Sequence, residues 1–292
     1  MRSMLKFASM FSRFLAYSLF LFLGFSANGQ GDFRVIFNSG NNYQRTEKGF
    51  FEVKNGSLLK PENALEVMPN GKVILMDNAG RLIQLELEGR YDLSTLDLTQ
   101  LSSPSKLIYE EWENFYTPRR KTADWLAVES LQSQSDFIDL HLNFPSSTEI
   151  YGRFIELSWT DIGDKYQLRF WNEYDRIFQT LDVGANAYTI DILSQSLAFK
   201  DAFGIEVLAK NSGRSTGVYF LDKLSPPDKE LLTQLLRVFP DNGGLIIELT
   251  KAIILENHGL YADASTAYQR LVSQFGTELT PFYQQYLDRF GY

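Results

Sequence analysis

Residues able to act as acids, bases or metal ligands are few in this 292-residue chain. It contains two histidines, His141 and His258, and no cysteine. Cysteine nucleophiles and thiolate metal sites are therefore excluded. The two histidines do not follow the H-x-x-x-H spacing that places two imidazoles on one face of a helix. We predict that His141 lies on the surface or on a sheet face. His258 is predicted to cap the end of a helix beside Gly259, where a partial positive charge is favourable.

Paired carboxylates are a second kind of reactive group, because glycoside hydrolysis uses two carboxyl groups at a defined separation across a cleft. Glu110, Glu111 and Glu113 cluster in one predicted helix, and Asp161 and Asp164 flank a predicted turn. We interpret the first group as a solvated acidic helix face and the second as a polar turn. A polysaccharide hydrolase stays open as an alternative. No residue is assigned as catalytic, cofactor-binding or metal-binding.

An aromatic cluster, Arg169-Phe-Trp-Asn-Glu-Tyr174, offers binding rather than bond-breaking chemistry. The strand alternation directs Phe170 inward and Arg169 and Trp171 outward. Arg169, Trp171 and Tyr174 are therefore the candidate ligand- or partner-binding residues, for sugar stacking or for protein contact. The alternative is that Trp171 covers a sheet edge or packs against a neighbouring domain.

The first 29 residues have the three-part pattern of a secretory signal peptide. Arg2, Lys6 and Arg13 precede the apolar stretch 14–25, and small residues follow it, so cleavage is predicted before Gln30. The apolar stretch is shorter than the roughly 20 residues that span a bilayer. An uncleaved anchor is the alternative. The pattern predicts an exported protein that does not span the membrane once processed. Export, the absence of cysteine and an excess of acidic residues together are typical of a bacterial periplasmic, cell-surface or secreted protein.

Charge narrows the range of partners. Three of the 28 basic residues and none of the 36 acidic residues precede residue 30, which leaves 25 basic and 36 acidic residues and a net charge of −11. Such a surface disfavours nucleic acid and anionic lipid, which are bound by neutralising phosphate. The absence of cysteine also excludes a disulfide framework, so the domains depend on apolar cores.

Short apolar runs separated by turns predict a small β domain over residues 32–98. Residues 72–76 and 81–87 flank 77–80 and predict a hairpin in which Gly80 has a positive φ. Glycines and aliphatic residues recur at Gly71, Val73, Leu75, Asp77, Gly80, Ile83, Leu85, Gly89, Tyr91, Leu93 and Leu96. This pattern resembles the FecR-like sensor fold of bacterial envelopes. The chain lacks the anti-sigma segment and spanning helix of the regulatory members, so a sensor subunit of a membrane partner is only an alternative function.

A helix and a linker are predicted over residues 99–136. Residues 106–116 place Trp112 and Phe115 at helical spacing, and Pro118 ends the helix. The Ser- and Gln-rich residues 130–136 read as a linker. We predict that Trp112 packs on the first β domain.

Regular short strands over residues 137–222 predict a β-sandwich. Ile155, Leu157 and Trp159 share one face of a strand, and Tyr166 begins the next one. These residues resemble a fibronectin type III or immunoglobulin-like module, in which Trp159 is the core tryptophan. The lack of cysteine fits the fibronectin variety.

The last block, residues 225–292, is predicted to be helical. It opens with a capping Ser225 followed by prolines, and it continues with three further helices. Residues 259–264 with Tyr268 and Leu271 resemble the junction of a tetratricopeptide hairpin, in which Ala252 and Ala264 are the small contact residues. Because solenoids need about three such units, we interpret this one as a helical cap docked on the sandwich.

Together these patterns predict a multidomain β + α protein with a small β domain, a fibronectin III/Ig-like β-sandwich and C-terminal α-helical hairpins. The leading functional hypothesis is a non-catalytic exported envelope protein that acts as an interaction or scaffold module. Its predicted partners are other envelope proteins or glycans, with no cofactor.

Overall fold

The computed structural model describes residues 31–96, 106–117, 140–239 and 244–290. The predicted signal peptide at 1–29 lies outside these ranges, as do residues 118–139, which include most of the predicted linker. Within the described ranges the chain combines several β-sheets with five α-helices. Mixed β and α content is therefore confirmed.

The first β unit consists of two four-stranded antiparallel sheets that share one core. One sheet contains β1 (Phe33–Ser39), β4 (Leu58–Leu59), β6 (Lys72–Met76) and β7 (Leu82–Leu85), in the order β4-β1-β6-β7. The other contains β2 (Tyr43–Thr46), β3 (Gly49–Glu52), β5 (Ala64–Val67) and β8 (Gly89–Asp92), in the order β3-β2-β5-β8. Val35 and Leu75 of the first sheet belong to the same buried cluster as Leu65 and Val67 of the second. The predicted hairpin between β6 and β7 is present, and Gly80 has a φ of 75°.

The second β unit consists of a five-stranded sheet facing a two-stranded one. Its strands are β9 (Ser147–Ile150), β10 (Phe154–Ser158), β11 (Tyr166–Trp171), β12 (Ile177–Val183), β13 (Ala187–Asp191), β14 (Ala202–Ala209) and β15 (Tyr219–Lys223). The larger sheet has the order β12-β11-β14-β15-β9, with β9 parallel to β15, and β10 pairs with β13. Leu157 of β10 and Leu168 of β11 share one core. Trp159 is buried there, with its ring 5.5 Å from that of Tyr166.

Five helices complete the described chain: α1 (Lys106–Tyr116), α2 (Pro226–Leu236), α3 (Gly244–Asn257), α4 (Tyr261–Phe275) and α5 (Thr280–Arg289). The Ser225 hydroxyl caps α2 by accepting from the backbone N–H of Asp228. Ala252 of α3 and Ala264 of α4 are fully buried. Both alanines belong to the same apolar cluster.

Helix α1 joins the first β unit to the helical region. Trp112 is fully buried, and its Nε1 donates to Thr250 Oγ1 of α3 at 3.1 Å. The same apolar cluster contains Phe37 of β1 and Phe282 of α5. The helical region therefore contacts both β units. It contacts the first β unit through α1, and α4 packs on the second β unit.

Candidate functional site

The outer face of the five-stranded sheet carries two of the three candidate binding residues. Along β11 the side chains of Tyr166, Leu168 and Phe170 enter the core of the second β unit. Because successive residues of a strand point to opposite faces, Arg169 and Trp171 lie on the other face. Both are half-buried, so their neighbours on that face decide what they present to solvent.

Trp171 is the centre of an apolar surface patch. It is the register partner of Ile177 on β12 and of Gly204 on β14, and Gly204 is in turn the partner of Phe220 on β15. A Cβ atom on Gly204 would lie 2.6 Å from Cγ1 of Val218 and 3.0 Å from Cβ of Trp171. These side chains therefore close over the glycine. We call Trp171, Ile177, Val218 and Phe220 the Trp171 patch.

The Trp171 patch is open to solvent at its margins. Ile177 is 43% exposed and Phe220 is 44% exposed. Large apolar side chains that are grouped on one surface and partly exposed are a feature of contact sites, whereas single exposed ones need no explanation. The patch is therefore a group of large apolar side chains on one sheet face that is partly open to solvent.

A buried carboxylate fixes the tryptophan ring. Oε2 of Glu206 accepts a hydrogen bond from Trp171 Nε1 at 3.2 Å and forms an ion pair with Nη1 of Arg169 at 3.6 Å. The other carboxylate oxygen accepts from the Ser215 hydroxyl at 2.5 Å. These contacts hold the Trp171 ring in one orientation.

Tyr174 lies apart from the sheet face, at the tip of the hairpin that joins β11 to β12. The Asn172 side chain shapes this turn, since its Oδ1 accepts from the backbone N–H groups of Tyr174 and Arg176, each at 3.0 Å. Tyr174 is 72% exposed. A hydrogen bond with Glu173 raises the pKa of its phenol. The structure therefore brings Arg169 and Trp171 together through Glu206 and places Tyr174 on the adjoining loop.

The sequence analysis did not identify Phe220, Gly204 or Glu206 as site residues. The alternation of buried and exposed residues along β15 indicates only that Phe220 faces outward. Tyr219 and Leu221 are buried, so Phe220 between them must face outward. Nothing in the sequence places β15 beside β14, or β14 beside β11. The patch could be recognised only once that strand order was known.

The sequence contains one G-x-S-x-G match, at Gly213–Gly217. In serine hydrolases this pattern forms a strained turn from a strand into a helix. Here it lies between two antiparallel strands, β14 and β15, and the Ser215 hydroxyl is bound to Glu206 and to the backbone N–H of Gly217. Ser215 therefore supports the Trp171 environment and lacks the setting of a nucleophile elbow.

The prediction of a solvated acidic face on α1 is wrong for two of its three glutamates. Glu111 is 7% exposed and accepts from Asn257 Nδ2 at 2.5 Å. Glu113 forms a two-pronged ion pair with Arg34 of β1 at 2.5 and 2.7 Å. Glu110 forms a local pair with Lys106. Glu111 and Glu113 bind side chains of neighbouring elements because α1 lies between the first β unit and the helical region.

Asp161 and Asp164 form the polar turn that the sequence predicts. Oδ1 of Asp161 accepts from Gly163 N and from the Tyr166 hydroxyl. Desolvation opposes ionisation of Asp164, but hydrogen bonds from the backbone N–H groups of Ser212, Asn211 and Lys165 outweigh it and lower its pKa to about 2. A carboxyl group that stays ionised at neutral pH does not serve as a general acid.

The two histidines lie in different parts of the fold. His258 follows the C-terminus of α3, as predicted, with Nε2 3.7 Å from Oε1 of Glu111. His141 is half-buried, with Nδ1 3.4 Å from the Thr160 hydroxyl. Across the ranges that the structure describes, no three acidic or histidine side chains are grouped as metal ligands.

Two buried carboxylates connect elements of the fold. Glu256 of α3 is fully buried, accepts from the Tyr268 hydroxyl at 2.9 Å and forms an ion pair with Arg289. Asp263 of α4 accepts from the backbone N–H groups of Tyr151 and Gly152 at 2.8 and 2.7 Å. Burial raises the pKa of Asp263 to about 6, against the opposing effect of those two hydrogen bonds. Each carboxylate holds two elements together.

Comparison with known proteins adds no family assignment. No protein-family model matches this chain, and no curated protein matches it significantly. Among the described helices, none has both the length and the apolar character required to cross a bilayer.

Proposed function

We propose that this chain is a non-catalytic exported envelope protein whose second β unit binds a partner protein through the Trp171 patch. The observation that carries the proposal is the patch itself: a tryptophan held in place by Glu206, surrounded by apolar side chains and open at its margins. Tryptophan and arginine anchors at partly buried positions are typical of the residues that dominate binding energy at protein interfaces.

A protein partner has better support than a glycan. Sugar platforms combine an aromatic face with hydrogen-bonding groups, because a sugar presents hydroxyls around its ring. The register neighbours of Trp171 are Ile177 and Gly204, with Phe220 one strand further on. The Arg169 charge is compensated by Glu206. An apolar surface with few free polar groups suits another protein.

Separate features of the fold support each of the three proposed family resemblances. The five-stranded order β12-β11-β14-β15-β9 opposite the β10-β13 pair fits an immunoglobulin-like or fibronectin III sandwich, with β10 and β13 as strands B and E. The positive φ values of Gly80 in the β6–β7 turn and of Gly89 at the start of β8, 75° and 155°, are compatible with the glycine positions of the FecR-like pattern. Burial of Ala252 and Ala264 supports a tetratricopeptide-like hairpin.

The hydrolase alternative gains no support from the carboxylates that suggested it. Glu111 and Glu113 bind side chains of neighbouring elements, and Asp161 and Asp164 bind backbone groups of their own and an adjacent turn. Glu111 and Glu113 lie together on α1, and Asp161 and Asp164 lie together on one loop of the second β unit. Neither pair is therefore placed on the two opposite walls of a cleft.

The test is capture of a partner from envelope extract by the purified protein, followed by affinity measurement with the identified partner. Replacing Trp171 by alanine is expected to weaken binding about 30-fold, since a hot-spot residue contributes at least about 2 kcal/mol. F220A provides a second, more exposed change in the same patch. L87A is the matched control, because Leu87 is 78% exposed in the first β unit.

Equal capture by wild type, W171A and F220A would contradict the proposal. Loss of capture in L87A alone would place the contact surface on the first β unit instead. Binding of a polysaccharide that W171A abolishes, with no protein captured, would assign the patch to a glycan.

A further inference from the structure

Three loops meet at one end of the second β unit. They are residues 151–153, 172–176 and 192–201, which adjoin β9, β11 and β14. The register of the five-stranded sheet places these strand ends side by side, through the pairs Ile150 with Lys223, Asp222 with Ala202, and Gly204 with Trp171. We call this group of loops the apolar end, after the side chains that it exposes.

Large apolar side chains project into solvent at the apolar end. Phe199 is 95% exposed and Leu193 is 56% exposed in the third loop. Tyr174 lies at the tip of the second loop, and Phe154, which directly follows the first loop, is 43% exposed. The opposite end of the sandwich, which the structure describes completely, exposes no large apolar side chain in its loops, residues 160–165, 184–186 and 210–213. The two ends of the second β unit therefore differ in chemistry.

The third loop holds Phe199 outward. Leu197, two positions earlier, is buried in the core of the second β unit. The Lys223 ammonium donates to the backbone oxygens of Leu197 and Ala198 at 2.8 and 3.1 Å. Lys200 N donates to Leu197 O at 3.1 Å. The backbone on both sides of Phe199 is therefore fixed, with Leu197 in the core and Phe199 in solvent.

The charges of the apolar end are balanced, although the whole chain has a net charge of −8. Its three loops contain three basic and three acidic residues: Arg153, Arg176, Lys200, Glu173, Asp175 and Asp201. Two of the cations lie against aromatic rings. Arg153 Cζ is 4.7 Å from the centroid of the Phe154 ring, and Lys200 Nζ is 4.3 Å from that of Phe178. A surface that carries both signs of charge complements a zwitterionic headgroup, in which a phosphate lies beside an ammonium group.

We propose that the apolar end inserts its loop tips into the surface of a zwitterionic lipid bilayer. Phenylalanine and leucine enter the boundary between headgroups and acyl chains, whereas tyrosine and long cationic side chains stay at headgroup level. A protein interface needs a contiguous, closely packed surface. These side chains instead project from separate loops, and a fluid bilayer fills the space between such tips. Both the shape and the charge of this end therefore favour a lipid surface as its occupant.

The test is sedimentation of the purified protein with sucrose-loaded phosphatidylcholine vesicles. F199E and L193E each replace an apolar tip with a carboxylate. Each is expected to lower the vesicle partition constant at least about tenfold, because the tip no longer gains free energy by leaving water. L87E is the matched control, because Leu87 is an exposed leucine of the first β unit, and it should bind the vesicles as wild type does. Adding anionic lipid should not strengthen wild-type binding, because the chain is acidic.

A tryptophan introduced by F199W reports on insertion directly. Its emission, measured in excess of wild type, should shift to shorter wavelength when vesicles are added. Lipids brominated on their acyl chains should quench this emission. L87W should show neither the shift nor the quenching.

Three results would overturn the inference: wild-type protein that does not bind the vesicles, F199E and L193E that bind as tightly as wild type, or an F199W emission that brominated lipid does not quench. Binding that requires anionic lipid would also count against it. Capture of a protein that F199E abolishes, without any vesicle binding, would assign the apolar end to a protein instead. F199E should still capture the partner of the Trp171 patch, so the two proposals can fail separately.

Discussion

At the residue scale, Gly204 determines the shape of the Trp171 patch. Any side chain larger than hydrogen at this position would force its neighbours to shift, because an added Cβ would lie 2.6 Å from Val218 Cγ1 and 3.0 Å from Trp171 Cβ. The glycine therefore lets two neighbouring strands bring Val218, Trp171 and Phe220 together over one point of the sheet. This is a packing requirement and involves no unusual backbone angle.

Replacing Gly204 by alanine is expected to displace Val218 or Trp171. Overpacking of this kind costs about 1–3 kcal/mol, and the free energy of unfolding measured with denaturant should fall by that amount. Tryptophan fluorescence should also change. G184A is the matched control, since Gly184 has no atom within 4 Å of the added Cβ; it should change stability by less than about 0.5 kcal/mol. Equal effects of the two substitutions would contradict this account.

At the element scale, the apolar strands were predictable and the polar ones were not. Strand β6 begins and ends where the sequence pattern places it, at residues 72–76. The signal there is a short, continuous apolar run, Val73 to Met76, bounded by turn residues. β2 (Tyr43–Thr46) and β9 (Ser147–Ile150) were missed because they are largely polar. β9 is held by parallel pairing with β15, which is a long-range contact.

Docking of α4 on the second β unit depends on polar contacts that sequence reasoning did not find. Asp263 in its first turn accepts from Tyr151 N and Gly152 N, and the Thr266 hydroxyl accepts from Glu156 N at 2.9 Å. The partners are more than 100 positions apart in sequence. Local patterns therefore predict the helix and give no indication of the surface that it covers.

The buried Asp263 predicts a pH dependence of stability. Because burial raises its folded-state pKa to about 6, above the unfolded value of about 3.9, the folded state binds this proton more tightly. Its contribution to stability is therefore largest below pH 4 and is lost as the pH rises through 6, by up to about 3 kcal/mol. Lys229 and Arg270 act in the opposite direction by favouring the charged form.

The measurement is urea unfolding of wild type and D263N between pH 4 and pH 7. The asparagine carries no ionisable proton, so the free energy of unfolding of wild type relative to D263N should fall with rising pH. A constant difference across that range would show that Asp263 does not titrate there. A difference that grows with pH would show that the carboxylate form is the one the fold favours.

At the scale of the whole molecule, α1 and the C-terminal helices connect the two β units. Arg289 near the end of the described chain pairs with Glu256, donates to the backbone oxygen of Phe115, and lies with its guanidinium 4.3 Å from the centroid of the Phe115 ring. The sequence predicts the helices and an α1 packed on the first β unit. The sequence predicts that the helical cap docks on the sandwich only, because no local sequence pattern indicates that α3 and α5 also pack on α1.

The candidate site also has a part that local sequence patterns predict and a part that they do not. Alternation along β11 was enough to predict Arg169 and Trp171 on an outer face, since the signal lies within six residues. The remaining parts of the site are Gly204, Phe220 and the Glu206 carboxylate that holds the indole. They lie 33 to 49 positions after Trp171 in the sequence, and the strand order brings them beside it. The site is assembled by sheet topology, which single-sequence patterns do not encode.

The most direct test of the partner-binding claim is photo-crosslinking in living cells with a photoreactive phenylalanine analogue at position 220. The account predicts one discrete adduct with another envelope protein, which disappears when Trp171 is also replaced by alanine. The same analogue at position 87, which is more exposed but lies on the first β unit, should give no such adduct. Absence of an adduct from position 220, or the same adduct from both positions, would contradict the claim that the Trp171 patch is the contact surface.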